Sequence, residues 1–449
     1  MDESILVVGA GTFGLSTALD LAQNGYRHIT ALDRSSEIPS SYSAGCDLNK
    51  IVRAEYEDDF YTDLALEAIK TWKSPFFAPY YAETGLIIAN SPSAEKKARN
   101  SLSKSFSSIA HHPGFPSGSF RLIGDGQDQD MRPLAPQLTG SALDDWTGYF
   151  NKYGGYARAS RAMVKVHSEC ERLGVRFILG EQQGHAVRLL FHGKRCIGVE
   201  TASGKEHKAA RVILCLGAHV ARLLPSIAPQ IVAKAWSVAH LQLSPEQAKA
   251  MAGVPVVNCR DLGFFFEPDP ETFLLKLCAH SAGLTNYETT AAEVDRHMSV
   301  PTSSSSSISE YRGRIPREDE DKIVKLIAAT MPQFSRLPLT RKFICWCGDT
   351  ADSNYIIDYV PNTDSHSLMV FSGDSGHAFK MLPIAGRWAR QVLEKGVQEL
   401  DRWKWKATPD GDTNDIHWRV GSVRDVKDVV DWVAEDDSLH ENTISTSRL

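Results

Sequence analysis

A glycine-rich turn near the start of the chain most strongly limits what this sequence can fold into. The apolar run Ile5-Leu6-Val7-Val8 predicts a buried strand, and residues 15–23 have the pattern of a helix. Gly9, Gly11 and Gly14 lie between them with the spacing Gly-x-Gly-x-x-Gly. Gly9 permits a tight turn, Gly11 lets the backbone approach a pyrophosphate, and Gly14 lets the helix pack closely on the sheet. The helix N-terminus would then receive the phosphates.

An acidic residue follows the second strand of this unit. Asp33 comes directly after the apolar run Ile29-Thr30-Ala31-Leu32, where a carboxylate would accept hydrogen bonds from ribose hydroxyls and repel a 2′-phosphate. The sequence therefore predicts a dinucleotide-binding βαβ unit and disfavours NADP, and it leaves open which other dinucleotide binds.

Size and composition narrow the class of protein. The 449 residues, 42% hydrophobic and 23% charged, predict a soluble globular protein with two or three folding units. A formal net charge of −6 without a basic stripe gives no electrostatic footprint for nucleic acid or for a membrane surface. The sequence shows neither a membrane-spanning run nor a secretory signal, and eight scattered cysteines fit a reduced compartment. We therefore expect a small-molecule ligand.

Strand and helix patterns recur along the chain in an order that suits a flavin-binding fold. A buried strand at 211–216 ends in Gly217-Ala218, residues 226–334 contain longer strand-like segments, and the serine run 303–307 predicts a mobile surface loop. The other predicted helices span 159–173, 318–331, 380–393 and 423–433, and the other predicted strands span 175–179, 187–189, 198–200, 263–267, 273–277, 355–358 and 368–371.

Five further segments accompany the Gly9 motif in order along the chain. They are residues 43–51, 146–151, 263–269, 345–350 and 373–380. Together the six segments resemble the sarcosine oxidase-like FAD-dependent amine oxidases, especially the fungal branch with fructosyl amino acid oxidases and saccharopine or pipecolate oxidases. The resemblance covers roughly residues 1–406. It implies that the dinucleotide is FAD.

The resemblance also implies a fold of the α/β class with an α+β second domain. We expect a discontinuous FAD-binding Rossmann-like domain and a sarcosine oxidase-like, antiparallel-sheet substrate domain, followed by a C-terminal tail. The expected ranges are 1–85, 150–225 and 335–406 for the FAD-binding domain, 86–149 and 226–334 for the substrate domain, and 407–449 for the tail. The last residues, Ser447-Arg448-Leu449, are a variant of the Ser-Lys-Leu peroxisomal address. We expect a monomer. We also expect the peroxisomal import receptor to bind this C-terminus and bring the protein into the peroxisome, and without that import the protein would be cytoplasmic.

Residues that match the family's FAD-binding segments come from several parts of the chain. In the family a cysteine forms a thioether to the flavin, and the pattern Cys-x-x-x-x-Thr-x-Asp is matched by Cys345, Thr350 and Asp352. Cys347 is the competing choice. The residues expected to contact FAD are Gly9, Gly11, Thr12, Phe13, Gly14, Asp33, Arg34, Ser43, Lys50, Cys345, Gly376, His377, Ala378, Phe379 and Lys380.

Three cationic residues are the expected catalytic and substrate-binding groups. By resemblance, Lys276 lies over the flavin and activates O₂, because a nearby ammonium stabilises the superoxide anion that the first electron creates. Arg53 and Lys380 match the arginine and lysine that hold the substrate carboxylate between them. No metal is expected.

Differences from the fructosyl amino acid oxidases favour simpler substrates. The acidic residue that those enzymes carry just after the lysine is missing from Leu277-Cys278-Ala279-His280, and they commonly lack an arginine at the position of Arg53. His280 matches a histidine of the sarcosine-type pattern and is expected to contact substrate. Phe265 replaces a tyrosine and predicts a pocket that prefers an apolar or aromatic side chain.

These observations favour an oxidase of secondary (N-alkyl) α-amino acids that oxidises the C–N bond to an imine and reduces O₂ to H₂O₂. Two alternatives belong to the same class: a fructosyl amino acid oxidase, and an N-methyl amino acid oxidase whose iminium product is trapped by ring closure. A third alternative is a non-catalytic dinucleotide-binding protein.

Overall fold

A computed structural model describes residues 2–124, 132–289, 297–302, 313–406, 411–416 and 418–435. The serine run 303–307 and the C-terminal residues 447–449 lie outside these ranges. Within them, no helix is long and apolar enough to cross a membrane. In the same ranges, no group of three or more His, Cys, Asp or Glu side chains is arranged to hold a metal ion.

Six strands form the sheet that carries the glycine motif. The strand Ile5–Val8 lies between the parallel strands Ile29–Asp33 and Arg211–Leu214, and all four of its residues are buried. A continuous apolar run is typical of a parallel strand that is covered on both faces. Across the sheet the order is Ile356–Tyr359, Leu368–Ser372, Arg211–Leu214, Ile5–Val8, Ile29–Asp33 and Arg176–Leu179, with the first pair antiparallel and the others parallel.

Three helices pack together beside this sheet. The helix Thr12–Gln23 begins directly after the glycine turn and contacts both Ala159–Arg172 and Ala385–Lys395. Gly14 allows the first helix to start here, because a Cβ at this position would lie 1.8 Å from the carbonyl oxygen of Gly9. The predicted strand, glycine turn and helix are therefore confirmed.

A second sheet of ten strands is mainly antiparallel. Its longest strands, Val232–Gln242 and Leu339–Asp349, pair with each other, and the helix Arg317–Thr330 packs its apolar side on the sheet. The order is Arg424–Asp425, Leu284–Thr285, Val232–Gln242, Leu274–Ala279, Gly263–Phe265, Val256–Cys259, Leu86–Asn90, Thr147–Asn151 and Phe120–Ile123, with Leu339–Asp349 paired to Val232–Gln242. The α/β fold class with an α+β part is confirmed, and the two large sheets support the two-domain division that we propose.

Smaller elements complete the described structure. The remaining helices are Asp59–Trp72, Lys96–Ile109, Val220–Leu223 and Pro245–Ala250. The small sheets are formed by Ala186–His192 with Arg195–Thr201 and Glu206–Lys208, by Asn49–Val52 with Gly155–Arg158 and Tyr81–Ala82, by Tyr287–Thr289 with His297–Ser299, and by Arg314–Pro316 with Trp432–Ala434.

Two sequence predictions for the last hundred residues need correction. The helix predicted at 423–433 is wrong, since Arg424–Asp425 and Trp432–Ala434 are strands. Each pairs with a strand from another part of the chain, and this long-range backbone pairing overrides the local amphipathic pattern. The helix predicted from 380 begins only at Ala385, after a 3-10 turn at Phe379–Met381.

Candidate functional site

A cavity of about 320 Å³ lies beyond the glycine turn of the first sheet. Parallel sheets bind their ligands at the carboxyl ends of the strands, and this cavity has that position. Eleven of the residues expected to contact FAD line it: Gly9, Gly11, Thr12, Phe13, Asp33, Arg34, Ser43, Lys50, Gly376, Ala378 and Phe379. Of the other four, Gly14 packs against the turn, and Cys345, His377 and Lys380 line a neighbouring cavity.

The floor of the first cavity has the features that a dinucleotide needs. Gly11 precedes the helix, and a Cβ on it would lie 3.0 Å from Ser43 Oγ, so a side chain would narrow the approach to the helix N-terminus. Asp33 accepts hydrogen bonds from the backbone N–H groups of Ala10 (2.8 Å) and Ser35 (2.9 Å). Burial raises the pKa of Asp33 and these N–H groups act against the rise. Each carboxylate oxygen has a further lone pair for a ribose hydroxyl.

A second cavity, of about 490 Å³, adjoins the first. The two share Lys50, Cys347, Gly376 and Phe379 in their walls, so they meet at these residues. The second cavity is lined by residues of the second sheet and of the segment that follows Asn49–Val52. A ligand bound along the first cavity would therefore present its end to whatever occupies the second.

Lys276 lies at this second cavity within a buried cluster of charges. Its ammonium forms an ion pair with Asp47 and donates to the carbonyl oxygen of Asn49 at 2.8 Å, while Lys50 Nζ lies 2.8 Å from Asp47 Oδ2. Burial raises the pKa of Asp47, but the two ammonium groups outweigh it and lower that pKa to about 2. Two ammonium groups therefore share one carboxylate.

Asp47 was not assigned a role from sequence. The sequence did indicate that a carboxylate must lie near Lys276, because a lysine in an apolar strand needs a carboxylate partner if it is buried. The partner comes from a segment 229 residues away in sequence, and no local pattern indicates which carboxylate it is.

Arg53 and Lys380 both face the second cavity. Lys380 Nζ donates to the hydroxyl of Tyr56 at 2.7 Å and to the carbonyl oxygen of His377 at 3.2 Å, and Arg53 donates to the carbonyl oxygen of Glu55. Neither cation forms an ion pair within the described part of the chain. Burial and the charge of Arg53 hold the pKa of Lys380 well below its usual range. The buried Glu55 lines the same cavity and acts against this lowering, but it is not at ion-pair distance from either cation, so a bound anion would stabilise the two charges.

Two histidines in the cavity wall are neutral at pH 7. His377 donates from Nε2 to the carbonyl oxygen of Ser353 at 2.8 Å, and its Nδ1 lies 3.0 Å from the Tyr355 hydroxyl. Burial lowers the pKa of His377 to about 3. His280 lies 2.8 Å from Asn258 Oδ1 through Nε2, and burial lowers its pKa well below the usual value. Neither imidazole adds positive charge to the cavity.

Two cysteines lie two residues apart on the strand Leu339–Asp349, and both reach the second cavity. A hydrogen bond with Cys347 lowers the pKa of Cys345 to about 7 against the effect of burial, and Lys50 adds to the lowering from 3.9 Å. The same hydrogen bond raises the pKa of Cys347 well above its usual value. These shifts favour ionisation of Cys345 over Cys347, and the thiolate is the reactive form of cysteine.

Phe265 does not line the cavity, and its predicted contact with substrate is wrong. It is 0% exposed and packs in the core under the second sheet. Side chains alternate across a strand, so its neighbours Phe264 and Phe266 face the cavity instead. The Phe266 ring centroid lies 5.1 Å from Lys276 Nζ. The predicted preference for an apolar or aromatic substrate side chain therefore rests on Phe264 and Phe266 instead of Phe265.

The C-terminal segment contributes side chains that sequence analysis missed. Trp418 and Arg419 both line the second cavity. The Arg419 guanidinium lies 3.8 Å from the ring centroids of Trp236 and Trp418, and it pairs with Asp349 at 2.9 Å. The sequence contained one indication of this contact, which is a tryptophan beside an arginine in an otherwise polar tail.

Comparison with known proteins identifies the family of this site. The model of the FAD dependent oxidoreductase family matches residues 4–392. This chain belongs to that family. The oxidoreductase is 31% identical to the L-saccharopine oxidase of Schizosaccharomyces pombe over 448 residues, which cover 95% of this chain and 98% of that protein. It is 26% identical to an amino acid oxidase of Aspergillus flavus, with 92% and 98% covered.

Solved structures give the same result. The deglycating fructosamine oxidase of Aspergillus fumigatus, Amadoriase II, in complex with FSA, superposes on the oxidoreductase with a TM-score of 0.86 and 33% identity. The match covers 97% of this chain and 98% of that chain. Amadoriase I of the same species has a TM-score of 0.84 and 32% identity, with 96% and 97% covered. The predicted family is confirmed.

FAD is the cofactor of the oxidoreductase, and the first cavity fits it. The N-terminus of the helix Thr12–Gln23, which is kept open by Gly11, would hold the pyrophosphate. Asp33 would hold a ribose, and Arg34 offers a buried Nε without a hydrogen-bond partner in the described residues. Because the cavity joins the one that contains Lys276, the cofactor's reactive end and a substrate can meet at the shared wall.

Proposed function

We propose that the oxidoreductase oxidises the C–N bond of a secondary α-amino acid to an imine, with O₂ as electron acceptor and H₂O₂ as product. One observation carries this proposal: Arg53 and Lys380 face the same cavity as Lys276, and neither has a carboxylate at ion-pair distance among the described residues. The cavity thus holds a site for a carboxylate beside a buried ammonium. The names of the relatives, L-saccharopine oxidase and amino acid oxidase, support the same class of substrate.

The chain's own residues account for substrate binding. FAD, when bound, supplies the ring that accepts two electrons from the substrate and passes them to O₂. Arg53 and Lys380 bind the α-carboxylate and fix the position of the neighbouring C–N bond. The positive charge around the cavity also lowers the pKa of the substrate ammonium, so the substrate reacts as the free amine. No side-chain base is needed, and the lowered pKa values of His280 and His377 make both imidazoles weak bases.

Lys276 serves the second half of the reaction. The substrate loses two electrons and two protons, O₂ takes them up as H₂O₂, and water hydrolyses the imine. A buried ammonium stabilises the anion formed when O₂ accepts its first electron, because the low dielectric strengthens the attraction. Asp47 and the carbonyl of Asn49 hold this ammonium in place before O₂ arrives.

Peroxide release across a panel of amines tests the function. The panel contains sarcosine, N-methyl aromatic amino acids, pipecolate, saccharopine and fructosyl-valine. We expect peroxide from at least one secondary amino acid that carries no sugar, with an imine or its hydrolysis products detected by mass spectrometry. A cyclised product would instead indicate ring closure. Activity confined to fructosyl-valine would contradict the proposal.

A fructosyl amino acid oxidase is the second candidate function. The likeness to Amadoriase II, a deglycating enzyme, over nearly the whole chain favours it. The absence of an acidic residue between Lys276 and His280 disfavours it, since the resemblance implies one in that class. The same panel separates the two functions.

We further propose that Cys345 attaches the flavin covalently. Acid precipitation of the wild-type protein should then leave the yellow colour in the pellet. Cys345→Ser should release the colour to the supernatant, because a hydroxyl is not ionised near pH 7. The matched variant Cys347→Ser should keep it in the pellet. Release of the flavin from the wild-type protein would show that it is not covalently attached. Release from Cys347→Ser alone would show that Cys347 is the point of attachment.

Peroxisomal location and a monomeric state are also proposals. The support for the first is the C-terminal Ser447-Arg448-Leu449. Removal of these three residues from a fluorescent fusion should shift it from peroxisomes to the cytoplasm.

A further inference from the structure

Arg260 is a buried cation that has no ion pair within the described part of the chain. It follows the strand Val256–Cys259, lines the second cavity and is 7% exposed. Its Nη2 donates to Ser101 Oγ at 2.8 Å and reaches the carbonyl oxygen of Trp418 at 3.5 Å. Among the described residues, no carboxylate lies within ion-pair distance of this guanidinium. Glu57 acts on Arg260 from beyond that distance and raises its pKa, and the Ser101 hydroxyl donates to Glu57 Oε1 at 3.3 Å.

An arginine in this environment is costly to bury. Its guanidinium stays charged and offers five N–H donors. In the described structure only Nη2 has acceptors, so the rest of the donor fork has none from the protein. Burial and the nearby charge of Arg53 lower the pKa of Arg260 to about 10, which leaves it cationic at pH 7. Such a charge is stabilised by an anion that binds in the cavity.

The wall of the cavity also carries the carboxylates Asp47, Glu55, Glu57, Asp58 and Asp352, so the ion pairs decide which cations still lack a nearby anion. Lys50 and Lys276 share Asp47, and Arg419 pairs with Asp349. Three cations of the wall are left without an ion pair in the described residues: Arg53, Lys380 and Arg260. The α-carboxylate of an amino acid occupies the first two together. Arg260 is then the cation that still lacks an anion at ion-pair distance within the described residues, and the substrate amine, which reacts uncharged, does not supply one.

We propose that the substrate is a secondary amino acid with a second carboxylate, and that Arg260 binds this group. The assignment rests on the proposed function and names the substrate class of the same site. A planar guanidinium with free donors matches a carboxylate through two parallel hydrogen bonds. A volume of about 490 Å³ leaves room for a substrate longer than a simple N-methyl amino acid. A substrate that placed an uncharged group beside Arg260 would leave this guanidinium buried without an ion pair.

Substrates that differ only in charge test the assignment. N-(ω-carboxyalkyl)glycines with two, three and four methylene groups are compared with the corresponding carboxamides, which have nearly the same shape. With the wild-type holoenzyme, we expect kcat/KM for the best acid to exceed that of its amide by about 30-fold or more, as for a buried charge pair. In Arg260→Gln this ratio should fall to near one. The control Arg161→Gln, which removes an arginine paired with Asp269, should retain it.

Binding without turnover gives a second readout. Thioether analogues of the same acids and amides cannot form an imine, and their Kd values are measured from the change in flavin absorbance. The acid should bind more tightly than the amide in the wild type and with equal affinity in Arg260→Gln. If that variant does not fold, Arg260→Lys, which keeps the charge but loses the fork, should show an intermediate ratio.

The failures of the two proposals are distinguishable. Equal kcat/KM values for acid and amide in the wild type would overturn the second carboxylate while leaving oxidation of secondary amino acids in place. A preference for the acid that persists in folded Arg260→Gln would overturn the role of Arg260. If no secondary amino acid releases peroxide, the proposed function fails, and the substrate assignment fails with it.

Discussion

Replacing Lys276 by Met is expected to slow the reaction of the reduced enzyme with O₂ by about 10²- to 10³-fold while FAD remains bound. The reason is the buried charge cluster, in which Lys276 and Lys50 share the single carboxylate of Asp47. Methionine fills a similar volume but removes the positive charge that would stabilise the anion formed from O₂. The free energy lost is about 3 to 4 kcal/mol, typical of removing one preorganised charge or donor from a buried site.

Stopped-flow absorbance separates the two half-reactions. Reduction by substrate without O₂ should change far less in Lys276→Met than reoxidation by O₂. Lys342→Met is the matched control, because Lys342 is also buried but pairs with Glu320 away from both cavities. It should reoxidise at the wild-type rate. An unchanged reoxidation rate in Lys276→Met would show that the ammonium has another role.

The parts of the fold that depend on neighbouring residues could be predicted from the sequence. The strand Ile5–Val8 and the helix Thr12–Gln23 follow from an apolar run and a helical period, and the glycine spacing between them implies the turn. Strands and helices with strong periodicity, such as Leu368–Ser372 and Arg317–Thr330, were also confirmed. These patterns report local burial, and local burial fixes the type of element.

The arrangement of the site depended on information that no local pattern contains. The pairing of Lys276 with Asp47 joins two distant segments, and the contact of Arg419 with the cavity depends on where a polar tail folds back. The error at Phe265 has a simpler cause. Side chains alternate, so a position shifted by one residue moves from cavity to core, and Phe264 and Phe266 face the cavity instead.

Replacing Lys380 by Met is expected to raise KM by roughly 30-fold or more, because truncation of one partner of a buried charge pair costs about 2 to 5 kcal/mol. Arg53→Met should have an effect of similar size, since the two cations bind the same carboxylate. Lys380→Arg keeps a positive charge in the carboxylate clamp, the site formed by Arg53 and Lys380, and should lose less substrate affinity. Equal KM values for wild type and Lys380→Met, measured with the best substrate of the panel, would remove Lys380 from the clamp.

The pH dependence of KM separates charge from shape. Burial and Arg53 depress the pKa of Lys380 in the free enzyme, so the clamp is fully charged below that pKa and loses one charge as the pH rises through it. Substrate affinity should therefore fall with rising pH in the wild type. Deprotonation of the substrate amine acts in the opposite direction, and it does so in every variant. The loss of substrate affinity that is caused by deprotonation of Lys380 should therefore be absent in Lys380→Met. If this loss persists in the variant, the ionisation belongs to another group.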